Sequence, residues 1–338
     1  MKRIVIFADG TWNSPEKGLA TNVLQMARGV KPMADDVEQI VFYDWGVGTD
    51  RKKIAGGLTG AGIDKNILDC YRFIVHNYNE GDKLFFFGFS RGAYTVRSLA
   101  GFIRNCGLLK REFADQIPAA YKLYRKRAKS TGPNEPLAEK FRQDLACADI
   151  CPIEFIGAWD TVGALGIPVP FWGTLGEREF LFHDTEPSKI IQHARHALAI
   201  DENRVDFEPT MWSDKPGSDL KQVWFSGVHS DIGGGYKEPG LSHIASQWIS
   251  SEASKFGLQF EPHFLNTLAP DPKDKQHNER TGIYRVRKEL VREITGPLHI
   301  SVKVRWDADV DSYRKKSKAL TRLLDAVNND WALIPQEN

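Results

Sequence analysis

Residues 83–87 (Lys-Leu-Phe-Phe-Phe) form a short apolar run that leads directly into Gly88-Phe89-Ser90-Arg91-Gly92. From Arg91 to Cys106 the apolar residues Val96, Leu99, Ala100 and Ile103 recur at helical spacing. A strand, a turn bounded by glycines and a helix, in that order, constrain the fold more than any other feature of the chain. A continuous apolar strand suits a parallel sheet covered on both faces. The turn between strand and helix must be tight and strained, so a side chain at either glycine would meet neighbouring backbone. Such a turn leaves the Ser90 hydroxyl at the carboxyl end of the sheet, where open α/β sheets bind ligands.

The rest of the chain reads in the same way. Residues 3–8, 39–45, 152–159 and 221–227 are short apolar segments expected as strands, and 63–78 carries Ile67, Tyr71, Ile74 and Val75 on one helical face. Residues 189–199 read as a helix, and so do 312–331. A charged stretch at 111–148, broken near Ser130-Thr131-Gly132-Pro133, reads as a helical insertion over the sheet, and about 163–185 as a loop or lid. Leu165, Ile167, Phe171 and Trp172 would give that loop an apolar wall. Strands alternating with helices predict an α/β fold with a mainly parallel sheet and helices on both faces. The 338 residues fit one such domain spanning 1–338.

Bulk properties exclude several classes. With 41% hydrophobic and 26% charged residues the chain can bury a full core. A net charge of +1 offers no global basic field, so no nucleic-acid partner is expected. The cysteines Cys70, Cys106, Cys147 and Cys151 contain no CxxC pair and read as reduced thiols. No apolar window is long enough for a membrane span, and the N-terminal run is too short for a signal segment. The expectation is a protein made in the cytoplasm. It would touch membranes only peripherally, and any export would use a signal-independent route.

A serine hydroxyl needs a histidine within hydrogen-bond reach and a carboxylate to orient that histidine. His229 lies two residues past the strand expected at 221–227, in Gly227-Val228-His229-Ser230-Asp231-Ile232-Gly233-Gly234-Gly235-Tyr236. Asp160 ends the strand at Trp159-Asp160-Thr161, and Asp201 is its weaker rival. The order Ser90, Asp160, His229 is the one expected for a serine nucleophile on this kind of turn. The backbone N–H of Arg91 sits where a developing oxyanion would form. A second donor is expected from the loop Asp9-Gly10-Thr11-Trp12-Asn13, through Gly10 or Thr11. No metal or other cofactor is needed for this chemistry. Two rival readings stand beside it. In one, Asp9, Asp160, His229 and Asp231 hold a divalent metal for phosphoester cleavage. In the other, the protein binds its ligand on an idle hydrolase scaffold.

Five blocks occur together and in order: Asp9 to Asn13, Gly88 to Ala93, Trp159 to Gly163, His196 to Glu202, and Gly227 to Tyr236. They resemble the DUF2235 family of α/β-hydrolases, a group related to the type 1 lipase effectors of bacterial type VI secretion. The resemblance covers residues 4 to about 236. It implies an α/β-hydrolase fold and a triad of Ser90, Asp160 and His229. It also implies an ester or lipid substrate, with phospholipase activity in the secreted members.

Overall fold

The computed structural model describes residues 1–10, 19–46, 61–126, 128–163 and 188–338. In chain order, β1 (Arg3–Ala8) is followed by α1 (Asn22–Gly29), β2 (Met33–Ala34), β3 (Val37–Asp44) and α2 (Ala61–Asn77). Next come β4 (Lys83–Phe89), α3 (Arg91–Cys106), α4 (Ile117–Arg125), α5 (Pro136–Leu145), β5 (Ile153–Trp159), β6 (Ile191–Ala199) and β7 (Asp219–Phe225). The C-terminal third adds α6 (His229–Gly233), α7 (Gly240–Ser254), α8 (Pro262–Thr267), β8 (Leu298–His299), α9 (Ile300–Ala308), α10 (Tyr313–Lys316), α11 (Lys318–Ala326) and β9 (Gln336–Glu337).

Among the described residues the strands form one sheet in the order β2-β3-β1-β4-β5-β6-β7-β8-β9. Every pairing is parallel except β2 with β3. Helices cover both faces, and the architecture is that of an α/β-hydrolase. The period of two in the apolar strands divides the core. Ile4, Ile6, Leu84 and Phe86 face α2, α3 and α4 on one side. Val5, Phe7, Phe85 and Phe87 face α1, α7 and α8 on the other. Phe7 lies opposite Phe87 in the register, and their rings stack 5.0 Å apart. A third cluster (Leu198, Trp224, Val302, Leu320) joins β6 and β7 to the C-terminal helices. The 111–148 stretch supplies α4 and α5, with a short helix at Arg111–Gln116 before α4 and a one-turn helix at Lys129–Thr131 between the two, and Tyr121 and Tyr124 of α4 pack on Phe102 of α3.

Two expectations are corrected. Residues 191–199 are not helical but form strand β6, held between β5 and β7. Its alanines suit a helix intrinsically, yet Ala194 to Ala199 are buried between two covered faces, where small side chains let the layers close. The segment 312–331 is not one helix. It breaks at Ser317 (φ −81°, ψ 83°), whose hydroxyl is buried against Asp201, and α11 ends at Ala326. The expected lid, about 163–185, lies outside the described residues apart from Gly163.

Candidate active site

Parallel strands deliver their carboxyl ends to one rim. Ser90 follows β4, Asp160 follows β5 and His229 comes four residues after the end of β7, so all three sit on that rim.

The turn at Ser90 is strained. Its φ of 58° and ψ of −122° lie where few non-glycine residues are found. The Ser90 N–H donates to Trp159 O at 3.0 Å, tying the turn to the end of β5. The flanking glycines answer a steric need. A Cβ on Gly92 would stand 1.9 Å from Ala8 O, and one on Gly88 would stand 2.5 Å from the Gly92 backbone. Helix α3 can therefore approach β1 and β4 closely enough to aim its N-terminus at the rim.

Asp160 is fully buried, also with positive φ (37°). Its Oδ2 lies 2.6 Å from His229 Nδ1, and its Oδ1 accepts the Ala199 N–H at 3.0 Å. Arg292, itself buried, grips both oxygens: one guanidinium nitrogen donates to Oδ1 at 2.6 Å and the other to Oδ2 at 3.0 Å. Arg292 also donates to the carbonyls of Ala199 and Phe207. Burial alone would raise the Asp160 pKa. The Arg292 charge and the contacts with His229 overcome it and hold the carboxyl well below the usual carboxylate range. Asp160 is thus an anion whose geometry is fixed from two sides.

His229 opens α6, and its imidazole lies between Phe89 (ring centroids 4.6 Å apart) and Phe207 (5.0 Å, edge-on). Three carboxylates hold the backbone beneath it. Val228 N–H donates to Asp231 at 3.0 Å, His229 N–H to Glu202 at 3.2 Å and Ser230 N–H to Glu279 at 3.3 Å. These are amides that a helix start leaves without intrahelical acceptors. Glu202 is further paired with Arg204, which also pairs with Glu279 and lies 3.5 Å over the Phe207 ring. Asp231 binds His277 Nδ1 at 2.7 Å as well. With Nδ1 engaged by Asp160, Nε2 is the ring nitrogen left for proton transfer. Among the described residues no hydrogen bond joins Ser90 Oγ to the imidazole; Phe89, one residue before Ser90, makes the contact.

The remaining expectations fall differently. Gly10 N–H donates to Asp9 Oδ1 at 2.7 Å, so it does not stand free as an oxyanion donor. Asp9 Oδ2 accepts Thr21 Oγ1 at 2.5 Å and Tyr43 OH at 2.8 Å, which makes Asp9 an anchor of the loop. Thr11 lies outside the described residues. The four residues of the metal reading are separately committed: Asp9 to this anchor, Asp160 and His229 to each other, Asp231 to His277. Among the described residues no three His, Cys, Asp or Glu side chains form a metal-binding group. Among the described residues no hydrogen bond joins Asp201 to His229. Asp201 accepts the Gly227 N–H at 2.8 Å and bonds with Tyr313 and Ser317, while burial pushes its pKa up to about 6. His196, expected on a helix, lies fully buried in β6, where Nε2 accepts the Thr161 N–H at 3.1 Å. Burial, with the nearby Arg97 charge, lowers its pKa to about 3 and keeps it a neutral acceptor that fixes the backbone after Asp160. Among the described residues no helix is long and apolar enough to cross a membrane.

Arg292, Glu202 and Glu279 escaped sequence reasoning as parts of this site. Glu202 lay inside a matching block without a role. Arg292 and Glu279 sit in polar, irregular segments that carry no pattern.

Residues 2–252 match the family model described as "T6SS, phospholipase effector Tle1-like, catalytic domain". An uncharacterised protein of Saccharomyces cerevisiae, YEL023C, is 28% identical over 236 residues, covering 64% of this chain and 33% of its own length. A solved structure of an uncharacterised protein from Pseudomonas aeruginosa is 18% identical with a TM-score of 0.48, over 80% of this chain and 49% of that one. The Tle1 effector bound to the VgrG spike of the type VI secretion system is 20% identical with a TM-score of 0.42, over 70% of this chain and 51% of that one. This chain therefore spans about a third of the yeast relative and about half of each of these two structures.

Proposed function

Because this chain belongs to the Tle1-like phospholipase effector catalytic-domain family, we propose that it hydrolyses the acyl esters of phospholipids with Ser90 as nucleophile, His229 as general base and Asp160 as orienter. The observation that carries this reading is the buried Arg292–Asp160–His229 relay on the rim that also bears the strained Ser90 turn. Asp160 fixes the tautomer with the proton on Nδ1, so Nε2 accepts the Ser90 proton as Oγ attacks the ester carbonyl. The charge that then appears on the imidazole is stabilised by the Asp160 anion. The backbone N–H of Arg91, at the start of α3, donates to the oxyanion. The tetrahedral intermediate collapses to an acyl-serine, and His229 returns the proton to the departing alcohol. Water, activated by the same imidazole, then releases the acid. The Ser90–His229 hydrogen bond forms on substrate binding, as catalytic contacts that are loose in unliganded enzymes often do. The substrate is met at a membrane surface.

The test is a panel of short- and long-chain esters and phospholipids run on wild type and Ser90→Ala, with fluorophosphonate labelling alongside. We expect labelling of wild type alone and a loss of about 10⁴-fold or more in hydrolysis by the variant. A folded Ser90→Ala protein that still hydrolyses the best substrate at the wild-type rate would end this reading. Activity lost to a chelator and retained in Ser90→Ala would favour the metal alternative.

A further inference from the structure

The cations near the rim are not equivalent. Arg292 is spent on Asp160, and Arg204 on Glu202 and Glu279. Deeper in the fold, Arg195 answers Asp219 and Glu252, and Arg305 answers the carbonyls of Pro272 and Asp274. Arg91, the residue immediately after the nucleophile, is half-buried, yet among the described residues its guanidinium makes no hydrogen bond or ion pair. Burial lowers its pKa to about 10, and among the described residues only the Tyr284 phenol opposes that shift; no carboxylate supports the charge. Tyr284 packs edge-on against Phe207, whose ring touches His229, so Arg91 belongs to the His229 side of the rim. A partly desolvated guanidinium without a counter-ion is costly to hold. Such a group is kept where a ligand brings the anion.

We propose that the Arg91 side chain reads the phosphodiester of the substrate, gripping two phosphate oxygens while the ester carbonyl, a few bonds away, lies over Ser90. This rests on the Ser90 reading and deepens it, since it assigns substrate choice to a side chain whose backbone N–H serves the oxyanion. The planar fork of arginine fits two oxygens of one phosphate, which a lysine ammonium meets only as a point charge. A neutral diacylglycerol leaves the guanidinium desolvated and unanswered, so discrimination comes from both gain and penalty.

The experiment compares a short-chain phosphatidylcholine with the diacylglycerol of the same chains, both below their aggregation limits so that surface charge plays no part. Wild type should prefer the phosphodiester by about tenfold or more in kcat/KM, the worth of one charged hydrogen-bonded contact. In Arg91→Gln that ratio should fall to within about threefold of unity, and Arg91→Lys should keep an intermediate value. If wild type shows no preference, or Arg91→Gln lowers both rates and leaves the ratio unchanged, the guanidinium does not read the phosphate. A second arm needs no variant. Glycerophosphocholine should inhibit hydrolysis of the neutral ester competitively, whereas glycerol at the same concentration should not; equal effects of the two would also overturn the proposal. Failure of the Ser90 reading looks different: hydrolysis of both esters would survive in Ser90→Ala, whatever the ratio in the Arg91 variants.

Discussion

Replacing Arg292 with leucine removes both guanidinium contacts to Asp160 while leaving the His229 imidazole in place. Both partners of the lost pair are buried, Asp160 at 0% exposure and Arg292 at 3%. Leucine returns nothing to the carboxylate or to the carbonyls of Ala199 and Phe207. Breaking a buried pair from one side costs about 3–5 kcal/mol, most of it the penalty of the charge left behind. Spread over the unfolding entropy of a 338-residue chain, that lowers Tm by about 4–7 °C. The pH dependence separates this from simple loss of packing. In wild type the Asp160 pKa lies below its unfolded value, so its ionisation stabilises the fold at every pH above the ordinary carboxyl range. Without Arg292, the burial that opposes ionisation acts with less compensation. The folded pKa should then rise above the unfolded one, and the sign reverses. The variant gains stability as pH falls from 7 towards 5, and the Tm gap to wild type narrows. Hydrolysis should respond in the opposite sense, because a protonated Asp160 cannot stabilise the imidazolium. We expect kcat/KM at pH 7 to fall at least tenfold, bounded by the roughly 10⁴-fold cost of losing the orienting carboxylate in triad enzymes. The acid limb of the rate profile should move to higher pH. Scanning fluorimetry and initial rates across pH 5–9 would measure both. A variant with the wild-type acid limb and a pH-independent Tm gap would show that Arg292 only fills space, and the electrostatic account of Asp160 would fall with it.

Two further outcomes follow from the fold. Gly92→Ala should give insoluble protein or lose more than about 3 kcal/mol, because its Cβ would meet Ala8 O at 1.9 Å, whereas Gly163→Ala, whose nearest neighbour among the described residues is Thr210 Oγ1 at 3.7 Å, should stay within about 0.5 kcal/mol of wild type in urea unfolding. His299, its pKa lowered by burial to about 4, stays neutral in the fold at pH values where the unfolded chain takes up a proton, so it contributes stability that is complete above about pH 6.5 and lost as pH drops towards 4. His299→Asn keeps an acceptor for the Ser301 N–H and should flatten the fall of Tm over that window; an unchanged slope would contradict the assignment.

What was legible in the sequence follows from the range of each interaction. The strand, turn and helix around Ser90 are local: apolar period, glycine positions and the nucleophile lie within about twenty residues, and the observed β4, elbow and α3 coincide with them. The positions of Asp160 and His229 just past strand ends were legible because strand ends are local signals too, and parallel pairing then carries both to one rim. Strand β6 was illegible because its alanines carry a helical preference that only the neighbours β5 and β7 override. The charges that govern the site were illegible for a stronger reason. Arg292 reaches Asp160 across 132 positions, and Glu279 reaches Ser230 across 49, from segments without periodicity. A lone arginine in a polar stretch reads as surface, since long charged residues usually are. Only the closing of the C-terminal segment over the rim buries Arg292 and turns it into the counter-ion of a carboxylate. The chemistry proposed for this protein is therefore divided along the chain. The part before residue 236 supplies the groups that react, and the part after it supplies charge that sets their state. Truncating the chain near residue 252, where the family match ends, would thus remove Arg292 and Glu279 together, and with them the guanidinium that grips Asp160 and the carboxylate that accepts the Ser230 N–H.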